Sequence, residues 1–183
     1  NAMENLHKKE KLEYMNQILS GLYIKDSMTG LYNRMGYQKL SEGYFSIMRE
    51  KKIPVLVLFV DLDRLKYIND TFGHEYGDFA IVSIAKAMQK HCDADAITAR
   101  TGGDEFIVLE SAKDEEAGML LADKIRAELS ALREKMQLPF DLSASIGVVV
   151  AQPGGENALE SYVKRAEMLM YEEKTEKKVS RDS

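Results

Sequence analysis

Cysteine, long apolar runs and positive charge are all scarce in this sequence. Cys92 is the only cysteine among 183 residues, which excludes a disulfide framework and a zinc site built on cysteines. No apolar run approaches the roughly 20 residues of a membrane span, and no secretory signal peptide is visible. We therefore expect a domain of the reducing cytoplasm, which a longer protein could carry on a membrane anchor.

The charge balance limits the partners that the chain can take. The 30 acidic residues outnumber the 25 basic ones, and the net charge of −5 argues against nucleic acid as the main partner. A protein of this charge that binds a polyanionic nucleotide needs a local site of metal ions and lysines. With 45% hydrophobic residues, the chain is long enough for one globular domain with a real core.

The stretch from Ile97 to Leu109 is the centre of the functional prediction. Two apolar runs are separated by Gly102-Gly103, a dipeptide that supplies the positive φ of a tight hairpin turn. Two acids, Asp104 and Glu105, follow directly. Because successive side chains on a strand point to opposite faces, we expect the two acids to face differently. A surface hairpin whose acids serve only solubility is the alternative.

A second acidic stretch runs from Phe59 to Asp78. An apolar strand predicted from Val55 to Val60 leads directly into Asp61 and Asp63, which brings carboxylates to one rim of a sheet. For an isolated aspartate at a strand end, a surface or capping role is the alternative. Further polar residues follow in the same stretch: Lys66, Asn69, Asp70, His74 and Asp78.

Together these stretches resemble the GGDEF family, the diguanylate cyclases. Gly-Gly-Asp-Glu-Phe stands at residues 102–106, and the family's D-x-D-x-x-K-x-x-N-D-x-x-G-H-x-x-G-D is matched at every fixed position of residues 61–78. Residues 26–34 resemble the family's D-x-L-T-G-L-x-N-R, and residues 143–147 match a fourth motif, Ser-Ala-Ser-Ile-Gly. The resemblance covers residues 26–178, nearly the whole chain.

The order of the predicted elements indicates the fold class. After the N-terminal helices, its βαββαβ part predicts an α+β, ferredoxin-like core, an antiparallel sheet with helices packed on one face. The resemblance implies the same core, which the family shares with class III nucleotide cyclases and polymerase palm domains. The predicted strands are Val55–Val60, Ala96–Thr101, Glu105–Leu109 and Phe140–Val150. The longer helices after the first are predicted at Arg34–Lys51, Gly77–His91, Asp114–Met136 and Leu159–Lys178.

We divide the chain into a linker helix at residues 1–24, a catalytic domain at 25–178 and a polar tail at 179–183. Asn1 and Ala2, ahead of Met3, resemble the remnant of a removed tag, so we expect upstream domains to be missing. The N-terminal helix could pack on its own domain or end a coiled-coil linker from a sensor domain. Its apolar residues form a heptad seam of two repeats: Leu12, Met15, Leu19 and Leu22.

The resemblance implies an enzyme of bacterial signalling that joins two GTP molecules into cyclic di-GMP and releases pyrophosphate. Carboxylate-held Mg²⁺ or Mn²⁺ suits this reaction, because hard oxygen ligands hold such ions and paired ions stabilise attacking and leaving oxygens. We expect Asp61 and Asp104 as metal ligands, and the resemblance adds the Leu62 carbonyl. It also implies Glu105 as the base at the ribose 3′-hydroxyl, or as a helper of the metal. Lys66 completes the implied catalytic set with Asp104 and Glu105.

The base of the nucleotide is expected to contact Asn69 and Asp78. Guanine presents two donors on one edge, N1–H and N2–H₂, and one carboxylate can accept from both. Adenine lacks that pair, so Asp78 predicts a preference for guanine. Asn69 fits the family's second base contact. An alternative role for Asp78 is at the start of the helix that Gly77 opens.

Three lysines are implied as phosphate contacts. Lys66 matches the family's phosphate-binding lysine. Lys174 and Lys178 lie four residues apart, so they share one face of the last helix. They match the lysine and the arginine of the family's A-K-x-x-G-R-N ending. A solvated, charged helix end is the alternative for both of these lysines.

Several positions depart from the family pattern. Leu65 replaces a Phe, Glu167 replaces an Asp, and Lys177 to Val179 replace Gly-Arg-Asn. Since a lysine lacks the bidentate grip of an arginine, we expect weaker binding of the triphosphate. Many members also carry an Arg-x-x-Asp product site before the hairpin. Asp93 and Ala96 hold those positions here, so we expect no feedback inhibition through that site.

The implied reaction needs more than one copy of the chain. One site holds one GTP, so two copies must meet with two-fold symmetry, forming a homodimer for catalysis. A catalytically silent GTP-binding module is the alternative, although such members usually lose the hairpin acids, which are intact here. A cyclase with altered base choice is a third possibility, against which Asp78 argues.

Overall fold

The computed structural model describes residues 2–112 and 114–182, without the side chains of residues 2, 20 and 22. Its helices are α1 (Ala2–Tyr23), α2 (Arg34–Glu50), α3 (Leu65–Phe72), α4 (His74–His91), α5 (Glu115–Met136) and α6 (Leu159–Asp182). Its strands are β1 (Val55–Leu62), β2 (Ile97–Arg100), β3 (Glu105–Ser111) and β4 (Ala144–Ala151).

The strands form an antiparallel sheet in the order β2-β3-β1-β4. All eight residues of β1 are buried, as expected for an apolar strand at the centre of a sheet. At the carboxyl end of β1, Asp61 is paired with Glu105 on β3 and with Ser145 on β4. The predicted α+β, ferredoxin-like βαββαβ core is confirmed, and its register brings the two acidic stretches side by side.

Helices cover both faces of the sheet: those of the βαββαβ part pack on one face, as predicted, and the additional helices α2 and α6 cover the other. Leu56, Leu58 and Val60 lie in a core cluster with residues of α4 and α5. Val57 and Phe59 lie in a second cluster with residues of α2 and α6. The physical reason is in β1 itself, which is apolar at every position from Val55 to Val60, so both of its faces must be buried.

Three element boundaries differ from the sequence prediction by three residues or more. Helix α4 begins at His74, after Gly73. Gly77 and Asp78 therefore lie within the helix, and the predicted role of Asp78 at the helix start is wrong. Strand β4 begins at Ala144 rather than Phe140. Helix α6 continues through residue 182, beyond the tail predicted at 179, and residue 183 lies outside the described part.

The apolar seam of α1 is not buried against the domain. The exposed fractions are 61% for Leu12, 47% for Met15 and 58% for Leu19, while the side chain of Leu22 lies outside the described residues. The interpretation that this seam packs on its own domain is therefore not supported. Within residues 2–112 and 114–182, no helix has the length and apolar composition to cross a membrane.

Candidate active site

Three carboxylates converge where β1 and β3 meet the hairpin turn. Asp61 ends the apolar part of β1, Asp104 lies in the turn, and Glu105 is the first residue of β3. One carboxylate oxygen from each lies within 4.8 Å of the other two. The Leu62 backbone N–H donates to the Asp104 carbonyl at 2.9 Å, which joins the end of β1 to the turn. The structure therefore brings together the residues predicted as metal ligands.

Glu105 does not face away from the cluster, so the prediction that it and Asp104 face differently is wrong. The alternation of side chains applies only within a strand, and β3 begins at Glu105. Asp104 lies in the turn before it, where the chain changes direction. Both acids can therefore approach Asp61 from the same side.

The cluster carries more negative charge than the protein around it neutralises. Burial, opposed by a hydrogen bond from Lys174 and supported by the charges of Asp104 and Glu105, raises the pKa of Asp61 to about 6. Burial, together with Asp104 and Glu167, also raises the pKa of Glu105. A compact set of carboxylate oxygens with uncompensated charge suits a hard divalent cation. These residues fit Mg²⁺ or Mn²⁺.

The raised pKa of Asp61 makes a testable prediction for the metal-free protein. Between pH 4 and 6 the folded state retains a proton on Asp61 that the unfolded chain has released, so folding becomes less favourable as pH rises. We expect Asp61→Asn to increase the free energy of unfolding in EDTA by on the order of 2 kcal/mol at pH 7. The increase should vanish toward pH 4.

Urea unfolding of the wild type and Asp61→Asn at pH 4, 5, 6 and 7 measures this difference. Asp123→Asn is the matched control, because the Asp123 side chain is 68% exposed on α5 and pairs with nearby Arg126. Its difference from wild type should stay within about 0.5 kcal/mol. An Asp61→Asn effect that does not change with pH would contradict the assignment of the shift to Asp61.

The hairpin turn is held by an arginine that the sequence prediction missed. The Arg100 guanidinium donates to the Gly103 carbonyl at 2.9 and 3.2 Å and pairs with Asp26 at 3.3 Å. Asp26 also accepts from the Thr29 backbone N–H and hydroxyl. Although burial opposes the shift, Thr29 and Arg100 hold the pKa of Asp26 below its usual value. Through Arg100, the motif at residues 26–34 thus stabilises Gly103, the residue before Asp104 in the turn.

We expect Arg100→Met to lower the free energy of unfolding by about 1 to 3 kcal/mol, because the part-buried Asp26 would lose its charged partner. Urea unfolding at pH 7 measures the loss. Arg181→Met is the control, since Arg181 is exposed near the end of α6. Equal stabilities of the two variants would show that Arg100 contributes nothing to the turn.

The Ser-Ala-Ser-Ile-Gly motif at residues 143–147 binds a buried aspartate beside the cluster. Asp63 is 3% exposed, and both of its oxygens accept from serine hydroxyls at 2.7 Å, one from Ser143 and one from Ser145. Lys177 donates to the same carboxylate at 2.8 Å. Although burial opposes the shift, these donors hold the pKa of Asp63 below its usual value. Asp63 is therefore a structural anion, already neutralised by its neighbours.

Asn69 and Asp78 lie where α3 packs on α4. A Cβ built on Gly77 would overlap Asn69 Oδ1, so only glycine at this position of α4 admits the amide. In the part of the chain that the structure describes, Asn69 Oδ1 is buried without a hydrogen-bond partner. Asp78 follows Gly77 and is exposed, and Lys66 is exposed on α3. The base and phosphate contacts of these residues stay predictions.

The lysines of α6 lie in different surroundings. Lys174 donates to Asp61 Oδ1 at 2.7 Å, so it lies at the acidic cluster. Lys178 is exposed, and its phosphate contact stays a prediction. Lys177 of α6 contacts the sheet, because it donates to Asp63 and to the Ala144 carbonyl. The sequence could have indicated Lys177 only through its spacing of three residues from Lys174.

A cleft of about 760 Å³ lies beside the cluster, along α6. Asp61, Glu105 and Lys174 form its polar end, and Glu167, one of the departures from the family pattern, also lines it. Its remaining walls come from α6: Lys164, Met168, Met170, Tyr171 and Glu172. The acidic cluster therefore borders a cleft on the side of α6, whereas Lys66, Asn69 and Asp78, all within the described residues, do not line it.

The region of the family's product-binding site is acidic here. Glu110 on β3 is 8% exposed and accepts a hydrogen bond from the Asp93 backbone N–H. Burial and the nearby charges of Asp93 and Asp95 raise the pKa of Glu110, although that hydrogen bond opposes the shift. An acidic surface does not favour a cyclic dinucleotide. The absence of feedback inhibition through this site stays a prediction.

Comparisons with known proteins agree with this geometry. A sequence model described as diguanylate cyclase, GGDEF domain, matches residues 23–180. The chain is 32% identical over 180 residues to diguanylate cyclase DgcP of Escherichia coli K12. It is 34% identical over 154 residues to diguanylate cyclase VdcA of Vibrio cholerae. These matches cover 92% and 81% of the chain but only 49% and 43% of the relatives, so the chain spans less than half of their length.

Solved structures share the fold. The coiled coil and GGDEF domain of DgcB from Caulobacter crescentus, in complex with c-di-GMP, superposes with a TM-score of 0.82 at 23% identity. The match covers 95% of this chain and 92% of that one. The motifs, the antiparallel sheet and the acidic hairpin occur together, in order, over nearly the whole chain. The chain therefore belongs to the GGDEF-domain family of diguanylate cyclases.

Proposed function

We propose that this domain is an active diguanylate cyclase, which condenses two GTP into cyclic di-GMP and releases two pyrophosphates. The observation that carries the proposal is the convergence of Asp61, Asp104 and Glu105 within 4.8 Å, with Lys174 at 2.7 Å from Asp61. Silent members of the family usually lack the hairpin acids. This chain keeps both of them, on a turn that Arg100 supports.

The residues of the cluster take distinct roles in the proposal. Asp61, Asp104 and the Leu62 carbonyl would hold Mg²⁺ or Mn²⁺, and the bound ion would offset the charge of the phosphates. Glu105 accepts the proton of the ribose 3′-hydroxyl. Its raised pKa makes it a better general base than an ordinary glutamate. Lys66 and Lys174 contribute positive charge to the triphosphate.

The reaction consists of two equivalent phosphoryl transfers. In each, the deprotonated 3′-oxygen of one nucleotide attacks the α-phosphorus of the other. The bond from that phosphorus to the oxygen bridging to the β-phosphate breaks, and pyrophosphate leaves. Asn69 and Asp78 hold the guanine base, so that the N1–H and N2–H₂ donors of guanine meet acceptor oxygens. Two transfers close the ring, with one GTP supplied by each of two domains.

The two domains must face each other, which the exposed seam of α1 supports. Leu12, Met15 and Leu19 present apolar surface to solvent, and a second copy of the same helix would cover it. The solved DgcB structure, which has this fold, comprises a coiled coil and a GGDEF domain. Because the matches cover less than half of these relatives, we propose that an upstream sensor domain controls this pairing in the cytoplasm.

A mass-spectrometric product assay tests the proposal. The purified protein at high concentration is incubated with GTP and Mg²⁺, and in parallel with ATP and Mg²⁺. We expect cyclic di-GMP from GTP only, at a specific rate that rises with protein concentration because two domains must meet. Tight GTP binding without any dinucleotide product would favour a catalytically silent GTP-binding module.

A further inference from the structure

The second half of α6 is attached to the free edge of the sheet. Strand β4 lies at the edge, where backbone groups normally lack partners. Here the Ile146 N–H donates to Glu173 at 2.7 Å, and the Ala144 carbonyl accepts from Lys177 at 2.8 Å. Glu173 and Lys177 lie one helical turn apart and pair with each other at 3.2 Å. The side chains of Glu173 and Lys177 thus make two hydrogen bonds to β4 that a neighbouring strand would otherwise make.

This attachment, which we call the α6 clamp (Glu173 and Lys177), has two more fixed points. Lys177 donates to the buried Asp63 at 2.8 Å, and Asp63 is held by two serine hydroxyls. Glu173 pairs with Arg126 of α5 at 3.0 Å. The pattern of the family has alanine and glycine at the two clamp positions. The clamp therefore arises from residues that depart from this pattern, and it connects α6 to the end of β1.

Lys174 lies between the clamp residues and is directed at Asp61. Its ammonium is 2.7 Å from Asp61 Oδ1, and that carboxylate belongs to the cluster whose oxygens lie within 4.8 Å. The side chain is 34% exposed, so it is free to move toward the cleft. A cation of the protein therefore already contacts the carboxylate that a metal would use.

We propose that Lys174 is an internal counter-ion that a divalent metal must displace from Asp61, and that Glu173 and Lys177 are positioning residues that hold it there. The inference rests on the proposed function only in treating the three carboxylates as a metal site. A metal ion that binds Asp61 without a nucleotide leaves the Lys174 ammonium without its carboxylate partner. A metal that arrives with a nucleoside triphosphate gives it a phosphate. Metal and nucleotide therefore bind cooperatively through Lys174.

Binding of Mn²⁺ alone, measured by titration calorimetry without nucleotide, tests the counter-ion. We expect Lys174→Met to bind Mn²⁺ about tenfold more tightly than wild type, within the range typical of coupling between two ligands. The same variant should bind GTP more weakly, so the two affinities move in opposite directions. A merely structural role would not produce this reversal.

Lys164→Met is the matched control. Lys164 lies on the same helix and lines the same cleft, but it pairs with Glu160 at 3.4 Å rather than with the cluster. Removing its charge should change Mn²⁺ affinity less than about twofold, as for a screened surface charge. A Lys174→Met affinity no tighter than that of Lys164→Met overturns the proposal.

The clamp is tested with charge-balanced variants. Lys177→Met alone would leave the buried Asp63 without its cation, so it is combined with Asp63→Asn, whose Oδ1 still accepts from one serine hydroxyl while its Nδ2 donates to the other. We expect the double variant to bind Mn²⁺ about threefold more tightly, since Lys174 is less constrained, and Lys177→Arg to keep the wild-type affinity. A double variant with wild-type affinity overturns the positioning role. A wild type that binds no Mn²⁺ overturns the metal site of the proposed function and this inference together.

Discussion

Asp104→Asn is expected to lower the rate of cyclic di-GMP formation by about a thousandfold, the scale of losing preorganised charge at a reacting centre. The carboxylate lies in the turn, within 4.8 Å of Asp61 and Glu105, and an amide there reduces the charge of the cluster by one. A neutral oxygen is a poor substitute as a metal ligand. The substitution preserves the shape of the side chain, so the loss should reflect charge rather than packing.

Product formation per hour at saturating GTP and Mg²⁺ measures this effect, and urea unfolding shows whether the variant is folded. Asp95→Asn is the control, because Asp95 is an exposed acid just before β2, away from the cluster, and its activity should match the wild type. If Asp104→Asn turned over GTP at the wild-type rate, the assignment of the metal site to the hairpin would be wrong.

The fold was predictable because its strongest signals are local. The apolar run at β1 and the diglycine turn before β3 identify a central strand and its hairpin partner. The helices of the βαββαβ part lie on one face as predicted, and the apolar run from Val55 to Val60 indicates that the other face is covered too. A strand without polar positions has no face for solvent. The second face is covered by α2 and α6, which lie outside the βαββαβ part.

The site was only partly predictable, since its ligands are local and its supports are not. Asp61 was predictable from its position at the end of an apolar strand, and Asp104 from its position after the diglycine turn. Arg100 reaches Asp26 across 74 positions, and Lys177 reaches Asp63 across 114. Contacts of that separation depend on how α6 is rotated against the sheet, which packing decides. Helical spacing could place Lys174 and Lys178 on one face, but it could not show that Lys177 is the residue bound to the sheet.

Asp78→Asn is expected to remove most of the preference for GTP over ATP. A carboxylate accepts from both guanine donors, whereas an amide offers one acceptor and one donor, so one guanine N–H would meet a donor. Buried polar groups left unpaired account for large discrimination between related ligands. We expect kcat/KM for GTP to fall by about a hundredfold, with no comparable loss in the binding of inorganic pyrophosphate.

The neighbouring acid on the same helix provides the comparison. Glu75, in the first turn of α4, is exposed, and Glu75→Gln removes the same charge three residues earlier. Its ratio of GTP to ATP turnover should equal that of the wild type. Asn69 lies beside Asp78, since its amide oxygen packs against Gly77. A wild-type ratio in Asp78→Asn would mean that the base is recognised elsewhere, and Asn69→Ala would then be the variant that changes it.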